Sequence, residues 1–120
     1  MLTRIDHVMI GVPSLEQGID AYTRIGFDVY PGGAHPGKGT HNAIAFHGED
    51  YLELVSVSDH DEYLAARAAS GNAGPSLVDF LAAGGGIRYV IVQSDDLAVD
   101  VAAMRQRGVD VSDPAPGARR

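Results

Sequence analysis

The alternation of apolar and polar positions at the start of the chain predicts a strand over residues 3–10. A helix follows, because Ser14 is a suitable N-cap, apolar residues recur every three or four positions, and Gly26 is a typical stop signal. The two faces of the strand consist of Ile5, His7 and Met9, and of Asp6, Val8 and Ile10. The apolar stripe of the helix consists of Leu15, Ile19, Tyr22 and Ile25.

Three more strands are predicted up to residue 57. Residues 27–30 form a short strand, and the proline- and glycine-rich run 31–40 is expected to be a loop. Residues 41–47 and 51–57 are predicted to form a hairpin around a short turn. On its second strand, one face consists of Tyr51, Glu53, Val55 and Val57, and the other of Leu52, Leu54 and Ser56. The first 57 residues therefore have the order βαβββ.

Residues 32–38 have nearly the spacing of a phosphate-binding loop, but their details exclude one. Gly39 stands where such a loop carries Ser or Thr, and Pro36 removes one of the N–H groups that hold phosphate. The residues that follow predict a strand, not a helix whose N-terminus faces an anion. We interpret the segment as a connecting loop.

The chain repeats its beginning 82 positions later, as four pairs illustrate: Ile5 and Ile87, Leu15 and Leu97, Gly26 and Gly108, and Val29 and Val111. Such a repeat implies that the same supersecondary unit occurs twice. It predicts a strand over residues 87–93, a helix over about 96–107 and a strand over 109–111.

The predicted architecture is α+β and consists of three parts within a single domain spanning residues 1–120. A βαβββ module (1–57) is followed by a helical bridge (58–86) with two short helices, the second of which has Pro75 in its first turn. An incomplete second βαβ module (87–120) comes last, because the counterparts of the final two strands fall beyond residue 120.

The composition limits the kinds of partner. A net charge of −7 at pH 7 argues against nucleic acid and anionic membrane surfaces. No run approaches the ~18 apolar residues of a membrane span. The absence of cysteine excludes disulfides, thiolate zinc sites and cysteine nucleophiles. Because the N-terminus also lacks the pattern of a signal peptide, we expect a cytoplasmic protein that binds a small molecule.

Two side chains on predicted strands call for a chemical explanation. Glu53 and His7 each lie between apolar neighbours on a face that ought to be buried, and a buried carboxylate requires a metal, a cation or a proton. Imidazole and carboxylate are suitable ligands for zinc, nickel, manganese or iron. The alternative is that the two residues bind each other or line a cleft without metal. The other histidines, His35, His41, His47 and His60, lie in or beside loops and are expected at the surface, except that His41 opens a strand near the cleft.

Taken together, these segments resemble the vicinal oxygen chelate superfamily, specifically its glyoxalase-like domains. Residues 5–8 (Ile-Asp-His-Val) resemble the first strand of the family's module, and residues 26–29 (Gly-Phe-Asp-Val) resemble the turn into its second strand. Residues 51–55 (Tyr-Leu-Glu-Leu-Val) resemble its fourth strand. Residues 95–111 resemble the opening of a second module.

The resemblance implies a glyoxalase/dioxygenase-like pair of modules that forms a curved sheet around a cleft. A divalent metal is held there by residues on the first and last strands of each module. Carried over, the metal ligands are His7 and Glu53, and Glu53 is also the catalytic carboxylate. The first strand of the second module offers Tyr89 instead of a usual ligand, and we expect a homodimer whose sheets cover each other. The expected walls of the substrate cleft are Met9, His41, Tyr51 and Tyr89.

Two classes of function fit these expectations. The first is a metal-dependent lyase, isomerase or dioxygenase of glyoxalase type that acts on a small oxygenated substrate. The second is a metal-free protein that binds a ligand in the same cleft, as the bleomycin-resistance branch of the superfamily does. A more distant alternative, a ferredoxin-like regulatory domain, is disfavoured by the repeat and by the strand that carries Glu53. Metal analysis of the purified protein separates the first two classes.

Overall fold

The computed structural model of the protein describes residues 1–71 and 74–116. The mixed α+β architecture predicted from the sequence is confirmed, with a five-stranded sheet and four helices in the described residues. The elements are, in chain order, β1 (Leu2–Gly11), α1 (Leu15–Arg24), β2 (Asp28–His35), β3 (Thr40–His47), β4 (Asp50–Val57), α2 (His60–Ser70), α3 (Leu77–Ala82), β5 (Gly86–Ser94) and α4 (Leu97–Gln106).

The chain divides into two compact units, and the division falls within β1 and β5. The larger unit consists of Asp6–Ile91, and the smaller one of Met1–Ile5 together with the chain from Val92 onward. The single domain expected from the sequence stays a prediction. Part of the predicted second module, residues 117–120, lies outside the described residues.

In the larger unit the strands have the order β2-β3-β4-β1-β5. The β1 and β4 strands are parallel, with Met9 opposite Glu53, and β4 is antiparallel to β3. One face of this sheet packs against α1 because its alternate residues are apolar. The core consists of Val12, Ala43 and Leu54, surrounded by Ile10, Leu15, Ile19, Tyr22 and Val29. The opposite face therefore carries the other set of side chains, which includes Glu53.

Each helix has a Ser or Asp residue as its N-cap, the residue types that favour this position. The Ser14 hydroxyl accepts a hydrogen bond from the Gln17 N–H at the start of α1. Asp59 and Asp96 cap α2 and α4 in the same way. At α3 the N-cap is Ser76, so Pro75 precedes the helix instead of lying in its first turn. No helix in the described ranges is both long and apolar enough to cross a membrane.

One predicted loop is partly a strand. Residues 31–35 were expected to be irregular, but β2 continues to His35 and pairs with β3 up to His35 opposite Thr40. Proline is tolerated here because β2 is at the edge of the sheet, where an N–H is not needed on the outer side. The register shifts between Pro31 and Gly33, as in a β-bulge. The connection that remains, residues 36–39, is a tight turn.

In the smaller unit, the strand predicted over residues 109–111 is absent, and these residues are irregular. The Arg105 guanidinium donates to the Val111 carbonyl at 2.7 and 3.1 Å and to the Asp113 carboxylate at 2.9 Å. The Val109 N–H donates to the Met104 carbonyl. The segment after α4 is thus held against its own helix, and its backbone groups do not form a ladder with a strand.

Candidate functional site

The candidate site centres on two side chains from parallel neighbouring strands, His7 on β1 and Glu53 on β4. The His7 Nε2 atom lies 3.4 Å from the Glu53 Oε2 atom. Both side chains are largely withdrawn from solvent, with 13% and 16% of their surface exposed. The parallel register places Met9 opposite Glu53, so that strand alternation puts His7 on the same face two residues away. The structure thus brings together the two residues that the sequence singled out.

The other nitrogen of the His7 ring is held by Asp6 and Tyr51. His7 Nδ1 lies 2.7 Å from Asp6 Oδ2, and the Tyr51 hydroxyl lies 3.0 Å from the same nitrogen. Tyr51 also donates to Asp6 Oδ2 at 3.3 Å, and its ring stacks on the imidazole with centroids 4.8 Å apart. Because an ionised carboxylate can only accept, Asp6 favours the tautomer in which Nδ1 carries the proton.

Glu53 is fixed by an amide that the sequence did not point to. The Asn42 side-chain amide, on β3, donates to Glu53 Oε1 at 2.9 Å. This bond leaves Glu53 Oε2 directed at His7. A signal for this contact was available in the sequence. The predicted hairpin placed the two strands side by side, and a carboxylate on one strand often pairs with a polar side chain on the next.

These bonds create an electrostatic problem at the centre of the site. If Nδ1 carries the proton, a neutral imidazole presents the Nε2 lone pair to a carboxylate oxygen at 3.4 Å. Two acceptors at this distance repel each other unless a proton or a metal cation lies between them. The arrangement therefore favours a site that takes up a positive charge.

The spacing of the two acceptors fits a shared metal ion. Two ligand atoms that are each ~2.1 Å from one ion lie ~3.0–3.5 Å apart at ligand angles of ~90–110°. Asp6 then occupies the position of a carboxylate that orients a metal-bound histidine through its second nitrogen. No group of three or more His, Cys, Asp or Glu side chains suited to a metal occurs in the described ranges.

A cavity of about 290 Å³ opens beside Glu53. Met9 and Tyr89, both expected in the substrate cleft, line it together with Glu53. Tyr51, also expected there, lies against His7 and not among the residues that line this cavity. The other residues that line the cavity are His35, Lys38, Thr40, Val55, Tyr63, Leu77 and Arg88.

His41 lies on the other side of the sheet from the position expected for it. It pairs with Ser56 on β4, and strand alternation puts it on the face of Ala43, which is part of the core beneath α1. Asn42 takes the place on the cavity face. The predicted strand is correct, but His41, expected in the cleft because it opens that strand, lies on the core face of the sheet. His35 also differs from its expected surface position. It lines the cavity, and its Nδ1 lies 2.7 Å from the Thr40 hydroxyl.

If His7 and Glu53 hold a divalent metal, replacement of Asn42 by alanine should weaken its binding about tenfold, because groups that orient a ligand typically contribute 10–100-fold. The amide fixes Glu53 Oε1 and leaves Oε2 facing His7. Calorimetric titration with Zn²⁺ or Ni²⁺ measures the change. Gln17→Ala removes an exposed amide from α1 and serves as the control. Equal metal affinity of Asn42→Ala and the wild type would show that Asn42 does not position the carboxylate.

Comparisons with known proteins identify the family and the fold of the chain. A family model described as "Glyoxalase-like domain" matches residues 5–120. A search of curated protein sequences found no match.

Several solved structures are similar in fold. A hypothetical protein from Bacillus halodurans C-125 is 21% identical, with a TM-score of 0.69 over 96% of this chain and 77% of that one. The methylmalonyl-CoA epimerase of Streptomyces coelicolor, in complex with 2-nitronate-propionyl-CoA, is 23% identical, with a TM-score of 0.59 over 98% and 81%. The Mycobacterium tuberculosis methylmalonyl-CoA epimerase is 21% identical, with a TM-score of 0.62 over 91% and 67%.

Proposed function

Because the chain belongs to the glyoxalase-like domain family of the vicinal oxygen chelate superfamily, we propose that it is a metal-dependent isomerase or lyase. In this proposal His7 and Glu53 hold a divalent ion, namely zinc, nickel, manganese or iron, beside the cavity. The substrate is a small oxygenated molecule that loses a proton next to a carbonyl group. The observation that carries the proposal is the 3.4 Å approach of two acceptor atoms, His7 Nε2 and Glu53 Oε2.

The side chains of the site have distinct parts in the proposed reaction. Asp6 holds the Nδ1 proton of His7 and so keeps Nε2 unprotonated and directed at Glu53. Glu53 is the only carboxylate among the described residues that line the cavity, so we assign it proton transfer as well as metal binding. A bound divalent ion would polarise the substrate carbonyl and stabilise the negative charge that develops on its oxygen.

The names of structurally similar proteins support this class of reaction. Two of them are methylmalonyl-CoA epimerases, and one is in complex with a CoA derivative. An epimerase changes the configuration at one carbon, which is a form of isomerisation. We therefore place an isomerase ahead of a dioxygenase for this chain.

We further propose that the protein is a homodimer that associates through β5. This strand is at one end of the sheet order, so one side of it has no strand beside it among the described residues. Three of its large apolar side chains are exposed, Ile87 at 67%, Tyr89 at 52% and Val90 at 52%. Apolar residues on a sheet edge favour association with another chain. A second copy would also offer further ligands to a metal that receives only two from this chain.

Sedimentation at micromolar concentration tests the dimer. We expect a species of twice the 12.6 kDa chain mass. Ile87→Lys should shift the population toward monomer, because a charge on an apolar edge opposes association. Leu64→Lys, on the exposed side of α2, is the matched control and should leave the dimer intact. A wild-type protein that sediments as a monomer at all concentrations tested contradicts the proposal.

Metal titration of the wild-type protein tests the function itself. After treatment with a chelator, the protein should bind one divalent ion per chain in calorimetry with Zn²⁺, Ni²⁺ or Mn²⁺. His7→Ala should abolish this binding, whereas His60→Ala, which removes an exposed histidine from the start of α2, should not affect it. The second candidate function is metal-free ligand binding, and the lack of a third ligand in the described residues favours it. Absence of metal binding in the wild type would support that alternative.

A further inference from the structure

A second cavity, of about 510 Å³, lies next to the one beside Glu53 and is lined by three cationic side chains. Lys38 comes from the turn after β2, Arg67 from the last turn of α2, and Arg88 from β5. Lys38, Arg88, Thr40 and Tyr63 line both cavities. Three of the nine Lys and Arg residues of the sequence thus converge on one place in a chain of net charge −7.

No carboxylate pairs with these three cations in the part of the chain that the structure describes. The guanidinium groups of Arg67 and Arg88 each donate to a backbone carbonyl, of Gly74 and Pro75 respectively. A guanidinium has five N–H donors, so these bonds leave most of its donors available, and no carboxylate of the described residues balances its charge. Glu62, on the same helix as Arg67, is engaged by the Gly39 N–H.

The surroundings hold these donors in position. The Arg88 guanidinium lies over the rings of Phe80 and Tyr89, 5.1 and 5.2 Å from their centroids, which restricts its orientation. The Tyr63 hydroxyl accepts from the Leu77 N–H at 2.6 Å and can still donate its own hydrogen. Like charges that converge repel each other, and an anion between them removes the repulsion.

We infer that Lys38, Arg67 and Arg88 form a subsite for an oxyanion of the substrate, either a carboxylate or a phosphoryl group. The inference deepens the proposed function and rests on it for the location of the reacting carbon near Glu53. The substrate then has an anionic group at one end and a carbonyl group at the other. This subsite works through side chains, and so it does not require the backbone cradle that Pro36 excludes.

Calorimetric titration with inorganic phosphate, malonate and coenzyme A tests the subsite, with chloride keeping the ionic strength constant. The wild type should bind at least one of the three, and the pattern identifies the anion as phosphoryl or carboxylate. Arg88→Gln should weaken binding about tenfold, since a charge-assisted bond in a partly buried site contributes about that much. Lys38→Ala should weaken it about threefold because Lys38 is exposed. Arg24→Ala removes a positive charge on α1 that is paired with Asp20, and it should change nothing.

Two further outcomes separate this inference from the proposed function. Glu53→Gln should keep oxyanion binding, since Glu53 faces His7 and Asn42. If Glu53→Gln loses the oxyanion, or if Lys38→Ala and Arg88→Gln bind it as tightly as the wild type, the subsite is wrong. Failure of the wild type to bind any of the three anions also overturns it. If the wild type binds no metal but binds phosphate through Lys38 and Arg88, the proposed function fails and the subsite stands. Lys38→Ala keeps the test valid if Arg88→Gln does not fold.

Discussion

Replacing Glu53 by glutamine is expected to reduce divalent-metal affinity by more than about 100-fold. Side chains that only orient a metal ligand contribute 10–100-fold, so the loss of a direct, charged ligand should exceed that range. The substitution is nearly isosteric, and the amide oxygen of glutamine can still accept from Asn42. The effect should therefore come from charge and not from a change of shape.

The same variant should also lose metal-dependent stabilisation. An ion that binds only the folded protein adds about 2.7 kcal/mol to the free energy of unfolding at 100 times its dissociation constant. Urea denaturation with and without metal measures this difference in the wild type. The matched control is Glu49→Gln, an identical change at an exposed position in the turn between β3 and β4. A metal-dependent shift of equal size in Glu53→Gln and Glu49→Gln would rule out Glu53 as a ligand.

A second large effect is expected at Gly39, in the turn that leads into β3. Its backbone has φ +68, and a Cβ atom built there would lie 2.3 Å from the Tyr63 backbone nitrogen and 2.4 Å from the Asp59 carbonyl oxygen. The Gly39 carbonyl also accepts from the N–H groups of Ser58 and Asp59. Because both crowded atoms belong to the backbone, they cannot move aside as a flexible side chain can. Gly39→Ala should therefore lower the free energy of unfolding by about 3 kcal/mol or more.

Gly37 offers the matched control for this prediction. It lies two residues earlier and also has a positive φ of +76, but a Cβ atom at this position would meet no other atom within 4 Å. Gly37→Ala should cost only the strain of the left-handed backbone, about 1 kcal/mol. The difference between the two variants in urea denaturation isolates the steric clash. Equal destabilisation by the two substitutions would show that the contact of Gly39 with α2 is not tight.

Much of the fold was predictable because its signals are periodic. The repeat at 82 positions placed β5 and α4 after β1 and α1, and the caps at Ser14 and Asp96 begin the two helices. The repeat also predicted a strand at residues 109–111, which is wrong. Similarity to the first repeat does not show whether residues 109–111 have a neighbouring strand to pair with. Here the Arg105 side chain binds the Val111 carbonyl instead.

The residues of the candidate site were predictable only where the alternation along a strand showed which face a side chain occupies. Alternation placed His7 and Glu53 each on a strand face expected to be buried, and the family resemblance paired them as ligands; the two side chains lie 3.4 Å apart. His41 and Asn42 are neighbours in sequence, so they lie on opposite faces of β3. The glycine-rich run before them did not define the register of this strand. The sequence therefore did not show which of the two side chains lies next to Glu53. The contact of Asp6 with His7 also crosses the expected alternation, because adjacent residues on a strand were assigned to opposite faces.

Anomalous diffraction from crystals grown with Zn²⁺ or Ni²⁺, with data collected at the absorption edge of the metal, is the sharpest test of a shared ion at His7 and Glu53. We predict one strong peak per chain, within ~2.0–2.2 Å of both His7 Nε2 and Glu53 Oε2. Metal bound elsewhere, or no peak between these two atoms in crystals of protein saturated with the ion, would contradict the proposed metal site.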